Sequence, residues 1–290
     1  MSKAASGTLI IGDYAFSSWS LRGWLLFHRF DIPVSIRLVD LSTGDVPAQM
    51  PEYAPARTVP TWVTPESHVV WDSLAIAEEL ATRHPDAGIW PADPALRALA
   101  RNLAAEMHSG FSALRGACPM KLRVAYSDFT PSEDVKSDLA RIETLWSHAL
   151  ETSGGPWLAG DYSAADAFFA PVAARIATYD LPVSPAAEAY VHRHLNDPAF
   201  RRWRSLGLVV GEDMAKYAMD LTTKPWPGPA PRPARAVAEG TPENAACPYS
   251  GNAPTYLMEM DGRTFGFCNP TCRDKTVADP EAWPAFMPLV

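Results

Sequence analysis

Residues 8–27 read TLIIGDYAFSSWSLRGWLLF: a short apolar run, a serine-rich turn, and the opening of an amphipathic pattern. The run "TLIIG" (8–12) reads as a strand, and residues 18–30 group Leu21, Leu25, Leu26, Phe27 and Phe30 at helical spacing before Pro33. A strand, a turn and a helix in that order aim backbone N–H groups and hydroxyls beyond the helix N-terminus, an end that attracts anions. Serine is also a preferred N-cap, so Ser17 or Ser18 can serve simply to close the helix. Arg22 puts a cation at the unfavourable end of the helix dipole and therefore calls for an anionic partner, a protein carboxylate or a ligand. A serine nucleophile does not fit: there is no G-x-S-x-G elbow, and His28 lies about three turns down the same helix. The remaining chemical role is a hydroxyl that donates to an anion.

Outward from this turn, "SIRLVDL" alternates as a half-buried strand, and a proline-rich loop leads to "VPTWV", the turn "TPESH" and "VVW". A helix, "DSLAIAEELATRH", follows. From about residue 94 to 222 the pattern is helical throughout. "ALRALARNLAAEMHSGFSALR" sets Leu96, Leu99, Leu103, Met107, Phe111 and Leu114 three or four apart as one buried stripe. "SEDVKSDLARIETLWSHAL" repeats the pattern, and "YSAADAFFAPVAARI" opens with the capping pair Ser163 and Asp166. Pro171 inside that helix predicts a kink or a break.

The 290 residues suffice for about two domains and a small appendage, and 47% hydrophobic residues support real cores. "MSKAASGTLIIG" carries no readable sorting signal, and no run approaches the roughly 18 apolar residues of a membrane span. A soluble, cytoplasmic chain without a membrane partner is expected. A net charge of −8 argues against a nucleic-acid partner, whose phosphates need clustered Lys and Arg. Four cysteines make no disulfide scaffold.

The order "SSWSLR", "APARTVPTWV", "VVWDSLAIAEEL", then a helical half containing "SAADAFFAP", resembles the glutathione S-transferase family, in particular its serine-type, zeta-like and bacterial members, over residues 8–220. The resemblance implies an α/β thioredoxin-like N-terminal domain (1–88) that binds glutathione as co-substrate, and an all-α C-terminal domain (92–222) that shapes the pocket for a small-molecule electrophile. It implies a homodimer. Ser17 matches the hydroxyl that stabilises the glutathione thiolate, with Ser18 as the nearest rival and the expected cap and with Ser20 in an ordinary first turn. Trp19 and Arg22 fall within the glutathione-binding turn, and Trp19 stands where zeta-type members have cysteine. Val59 and Pro60 match a Val-Pro pair whose cis peptide lets the valine backbone pair with the tripeptide. Asp72 and Ser73 match the acidic-Ser pair that holds the γ-glutamyl end, although Glu is more usual at the first position. Met107, His108, Phe111 and Arg115 are candidates for the second-substrate pocket; Met107 and Phe111 read first as core and His108 first as a structural histidine, while Arg115 suits a substrate carboxylate and a surface ion pair alike.

Residues 223–246 hold six prolines and read as a semi-extended linker. Beyond it, residues 247–290 contain Cys247, Cys268 and Cys272 around "TYLMEMDGRTFGF", two short strands joined by a "DG" turn. The stretch "GRTFGFCNPTCRDKTVADPEAW" resembles YHS-type metal-binding modules. With Ser250 where that family commonly has its first cysteine, three thiolates are available for zinc, and the fourth position falls to Asp279, to water, or to nothing. The alternative is a small packed knob closed by Phe265, Phe267 and Trp283, with reduced cysteines.

The function expected is a glutathione transferase that activates the thiol through Ser17. The alternatives are a glutathione-dependent cis-trans isomerase of a small unsaturated diacid, and a non-catalytic protein that senses glutathione or metal.

Overall fold

The computed structural model describes residues 6–290; residues 1–5, part of the stretch read for a sorting signal, lie outside them. The apolar run forms β1 (Thr8–Ile11), and the serine turn hands the chain to α1 (Ser18–His28). β2 (Ser35–Leu38), β3 (Thr61–Val63), β4 (Val69–Trp71) and α2 (Ser73–Arg83) complete a thioredoxin-like unit. Its sheet runs β2-β1-β3-β4, with β1 parallel to β2 and the other pairs antiparallel. A parallel pair needs a crossover, and α1 supplies it. Leu9 sits opposite both Ile36 and Trp62 in the register, so the apolar face of the sheet is fixed against α1 and α2. Gly23 permits this packing, because a Cβ there would lie 2.7 Å from Pro60 Cβ.

The second half comprises α3 (Pro94–Ser109), α4 (Ser112–Ala117), β5 (Ala125–Tyr126), α5 (Glu133–Ser153), α6 (Ala164–Tyr179), α7 (Pro185–Asn196) and α8 (Pro198–Val209). All residues of α6 are buried, as expected of a helix apolar on every side. Pro171 lies inside α6 without breaking it, so of the expected kink or break the break does not occur. The continuous stripe read over residues 95–115 is in fact two helices. Gly110 ends α3, Phe111 takes a left-handed φ of 59°, and α4 restarts at Ser112. Asp166 caps α6 by accepting from the Ser163 N–H and hydroxyl at 2.9 and 3.2 Å, and also accepts from the Tyr190 hydroxyl at 2.7 Å. Among the described residues, no helix is long and apolar enough to cross a membrane.

After α8 the chain forms β6 (Thr223–Lys224), paired with β5, then β7 (Ala234–Val237), β8 (Tyr256–Met260), β9 (Arg263–Phe267) and α9 (Pro270–Ala278). The β8–β9 hairpin turns at Asp261 and Gly262, both at positive φ, as the "DG" pair requires. The proline-rich segment is less of a tether than its composition suggests: Ala234–Val237 pairs with β8 and completes a three-stranded sheet. Four residues free of proline are enough for one edge strand. Met258, Phe265, Phe267, Trp283 and Phe286 form a small core of their own. This unit packs on α8, where Arg201 Nε and Nη2 donate to both Asp279 oxygens at 2.8 and 2.7 Å.

Candidate functional site

A cleft of 540 Å³ opens where the first turn of α1 meets the helical half. Ser17, Ser18 and Trp19 line it from α1, and Val59, Pro60, Asp72 and Ser73 line it from the loop before β3 and from the start of α2. The helical half contributes Arg115, Met120 and Arg175, and Tyr217 closes one end.

Ser17 is the N-cap of α1; Ser18, the expected cap, is the first helical residue. Ser17 Oγ accepts from the Ser20 N–H at 3.3 Å and donates to Ser20 Oγ at 2.8 Å. Ser20 is no ordinary first-turn residue, since it is fully buried and its Oγ accepts from the Gly12 N–H at 2.9 Å. The result is a chain from the Gly12 N–H through Ser20 to Ser17. A rotation of both hydroxyl hydrogens lets Ser20 donate to Ser17 and frees the Ser17 proton for the cleft, with no hydrogen bond lost. Ser18 Oγ accepts from Arg175 Nη2 at 3.3 Å and keeps its own proton available.

The Val59–Pro60 peptide is cis. Asp72 stands at φ 79°, an unusual conformation for a residue with a side chain, and its carboxylate is held by two partners. Leu74 N–H donates to Oδ1 at 2.8 Å, and His108 Nε2 lies 3.1 Å from Oδ2. Ser73 Oγ, buried beside it, has no hydrogen-bond partner. A buried hydroxyl without a partner at a cleft is ready for one from a ligand.

Other candidates lie elsewhere. Met107 is fully buried and Phe111 7% exposed, both in the core, and neither lines the cleft. His108 does not line it either; it braces Asp72 and packs edge-on against Trp19 at 5.1 Å. Among the described residues, Arg22 forms no ion pair with a carboxylate. It is buried with Nε and Nη1 unbonded, and its guanidinium lies 4.3 Å from the centre of the Trp19 ring. Burial, then the charges of Arg175 and Arg115, push its pKa well down, with Asp72 opposing. Arginine nevertheless stays protonated in proteins, so the charge remains. Arg175 is the residue the sequence reading missed. Its signal was there, since Asp166 and Arg175 are the sole charges in the otherwise apolar sequence of α6.

In the C-terminal unit, the Cys247, Cys268 and Cys272 sulfurs all lie within 4.8 Å of one another. Burial opposes ionisation of Cys247, but the N–H groups of Tyr249, Cys268 and Ser250 outweigh it and bring the thiol down to about 7. Ser250 Oγ and Asn269 Nδ2 donate to Cys268 Sγ at 3.1 and 3.3 Å. Asp279 is not available as a fourth ligand, because Arg201 takes both of its oxygens.

The family model described as the glutathione S-transferase N-terminal domain matches residues 16–83. That match runs from the serine turn to the end of α2, within the thioredoxin-like unit. A probable maleylacetoacetate isomerase from Caenorhabditis elegans is 29% identical over 181 residues, covering 61% of this chain and 82% of that one. A glutathione transferase homolog from Burkholderia, solved with bound glutathione, is 25% identical, with a TM-score of 0.53 over 68% of this chain and 95% of its own. A glutathione transferase from Methylococcus capsulatus shares the fold at 20% identity, with a TM-score of 0.54 over 70% and 99% of the two chains. The thioredoxin-like unit followed by helices is the glutathione transferase architecture.

Proposed function

We propose that this chain is a glutathione-dependent transferase whose thiol is activated at the first turn of α1. The observation that carries this reading is the hydroxyl relay ending at Ser17, in a cleft that also holds an unpartnered Ser73 hydroxyl. Asp72 and Ser73 bind the γ-glutamyl end, and the Val59 backbone pairs with the cysteinyl residue. The thiol gives its proton to solvent, the thiolate sulfur bonds to an electrophilic carbon, and the leaving group departs with its electron pair. Ser17 donates to the thiolate and needs no general base. A hydrogen bond to a charged acceptor is worth about 1.5–3 kcal/mol and a helix N-terminus about 0.3–1. At about 1.36 kcal/mol per unit, a thiol pKa near 8.5 falls by roughly one to three units.

Ultraviolet titration of bound glutathione tests this. Ser17→Ala should raise the thiol pKa by about one to two units with little change in glutathione Kd, and Ser18→Ala should raise it less. An unshifted pKa in Ser17→Ala removes the assignment. The resemblance to the Caenorhabditis elegans protein favours a second reading, in which the thiolate adds to a double bond of an unsaturated diacid and is expelled after rotation. Glutathione is then catalytic and is not consumed, which a product balance distinguishes. By family habit we assign a homodimer, to be checked by sedimentation.

For the C-terminal unit we propose a structural zinc ion held by Cys247, Cys268 and Cys272. Tetrahedral zinc with Zn–S bonds of about 2.3 Å places its sulfurs about 3.8 Å apart. The Cys268 and Cys272 sulfurs lie 3.9 Å apart and all three sulfurs lie within 4.8 Å of one another, a spacing that supports this reading with a water as fourth ligand. Purified protein should carry about one zinc per chain, and Cys268→Ser should lose it. A fully reduced wild-type protein without zinc refutes the site.

A further inference from the structure

The carboxylate of Asp72 belongs to the thioredoxin-like unit and is steadied from the helical half. Asp72 is the N-cap of α2, and its Oδ1 accepts from the Leu74 N–H at 2.8 Å, within its own helix. Its Oδ2 meets His108 Nε2 at 3.1 Å, and His108 stands in the last turn of α3. Among the described residues this is the one ion-pair contact that Asp72 makes. Arg57, Arg115 and Arg175 line the same cleft, and none of them pairs with it. The buried Arg22 is near enough to feel its charge. The Asp72 side chain is 44% exposed, so the carboxylate keeps an open face after both contacts are made.

The imidazole is itself held. Trp19 of α1 packs edge-on against it at 5.1 Å, Phe168 of α6 stands at 6.1 Å, and Nδ1 is buried without a hydrogen-bond partner. The polar work of the ring is therefore done at Nε2. A carboxylate accepts, so Nε2 is the nitrogen that carries a proton in this contact. Asp72 is one methylene shorter than the Glu more usual in the family at this position, and it cannot follow a ligand far from the helix end. A short carboxylate meets an ammonium well only when it already points the right way, because ordering it during binding costs affinity. A neighbour that locks its rotamer beforehand removes that cost.

We infer that His108 is a positioning residue for the amino group of glutathione. It fixes Oδ2 of Asp72 from the helical half, and the carboxylate so held selects tripeptides whose γ-glutamyl residue carries a free ammonium. This rests on the reading that Asp72 and Ser73 bind the γ-glutamyl end. The unpartnered Ser73 hydroxyl, one residue on, is then left for the α-carboxylate of the same ligand residue. Both halves of the molecule thus take part in recognising one end of glutathione, although only Asp72 and Ser73 touch it.

The test compares the binding of S-methylglutathione with that of its desamino counterpart, in which hydrogen replaces the γ-glutamyl amino group. Titration calorimetry on the full chain gives both Kd values, and the S-methyl group removes thiol ionisation from the comparison. The wild-type protein should bind the amino compound about tenfold more tightly, the size of one charge-assisted contact. His108→Leu keeps apolar packing against Trp19 and Phe168 but offers no donor, and it should cut that preference to about threefold or less. His108→Gln, whose amide can donate, should restore most of it. If His108→Leu does not fold, His108→Phe supplies the ring without the donor. An equal weakening of both ligands, with the preference intact in the donorless variant, would show that His108 only packs and would overturn the inference. So would a Gln variant no better than the donorless one. A wild-type protein that binds both ligands alike sinks the placing of the γ-glutamyl end at Asp72, and His108 with it. A preference that survives in His108→Leu leaves that placing intact and sinks the role of His108 alone.

Discussion

Arg201→Ala should lower the stability of the chain by about 3–5 kcal/mol, because it strands a carboxylate in the seam between α8 and the C-terminal unit. The Arg201 and Asp279 side chains are 16% and 9% exposed, and the guanidinium meets both carboxylate oxygens in a fork. Arg201 also reaches Glu281 at 3.4 Å, and Arg202 Nη1 donates to the Ala282 carbonyl at 3.4 Å, so the same turn of α8 holds two points of the unit. Urea unfolding of Arg201→Ala, and of the double variant that also carries Asp279→Ala, checks this. The double variant should be the more stable of the two, since removing both partners leaves no buried charge. Equal stability of the two variants would show that the pair does not hold the seam.

The second large effect is in acid. Burial pushes His28 and His194 down to about 3, with Arg202 and Lys275 adding to the effect at His28 and Arg193 at His194. An unfolded histidine titrates near 6.5. Each therefore contributes stability that is fully present above about pH 6.5 and is lost as pH falls toward 3, at about 1.4 kcal/mol per unit. Asp166 works the other way. Burial raises it to about 6 against the hydrogen bonds from Leu158, Tyr190 and Ser163, so its contribution is lost as pH rises through about 6 and regained on acidification. From these three groups, stability should fall by about 1.4 kcal/mol per unit between pH 6 and pH 4. Denaturation midpoints across that range measure it. His194→Gln should flatten the slope, and a slope that stays the same would show that His194 is not held neutral.

Periodicity made the sheet and the main helices legible, because each apolar face had one place to go. Leu9, Leu25 and Trp62 are all fully buried, as their spacing required. The break at Phe111 was hidden for the same reason: an apolar residue at helical spacing gives no sign that its backbone will turn left-handed. Arg22 shows the limit of an electrostatic reading. The helix dipole called for an anion beside it, and the fold provides the face of Trp19 instead. The place of Ser17 at the mouth of the turn was legible, but its bond to Ser20 was not, because the position of Ser20 depends on the Gly12 N–H arriving from β1. Arg175 comes to the cleft from 157 residues away, a separation that no local pattern reports.

The strand drawn from the proline-rich segment bears on how the molecule can be dissected. A fragment beginning at Cys247 would leave one side of β8 without its partner, Ala234–Val237, and expose a raw backbone edge that invites self-association. A cut between Trp226 and Arg232 keeps that edge covered. Any fusion or truncation series on this chain should place its joints there, upstream of the cysteines by more than a dozen residues.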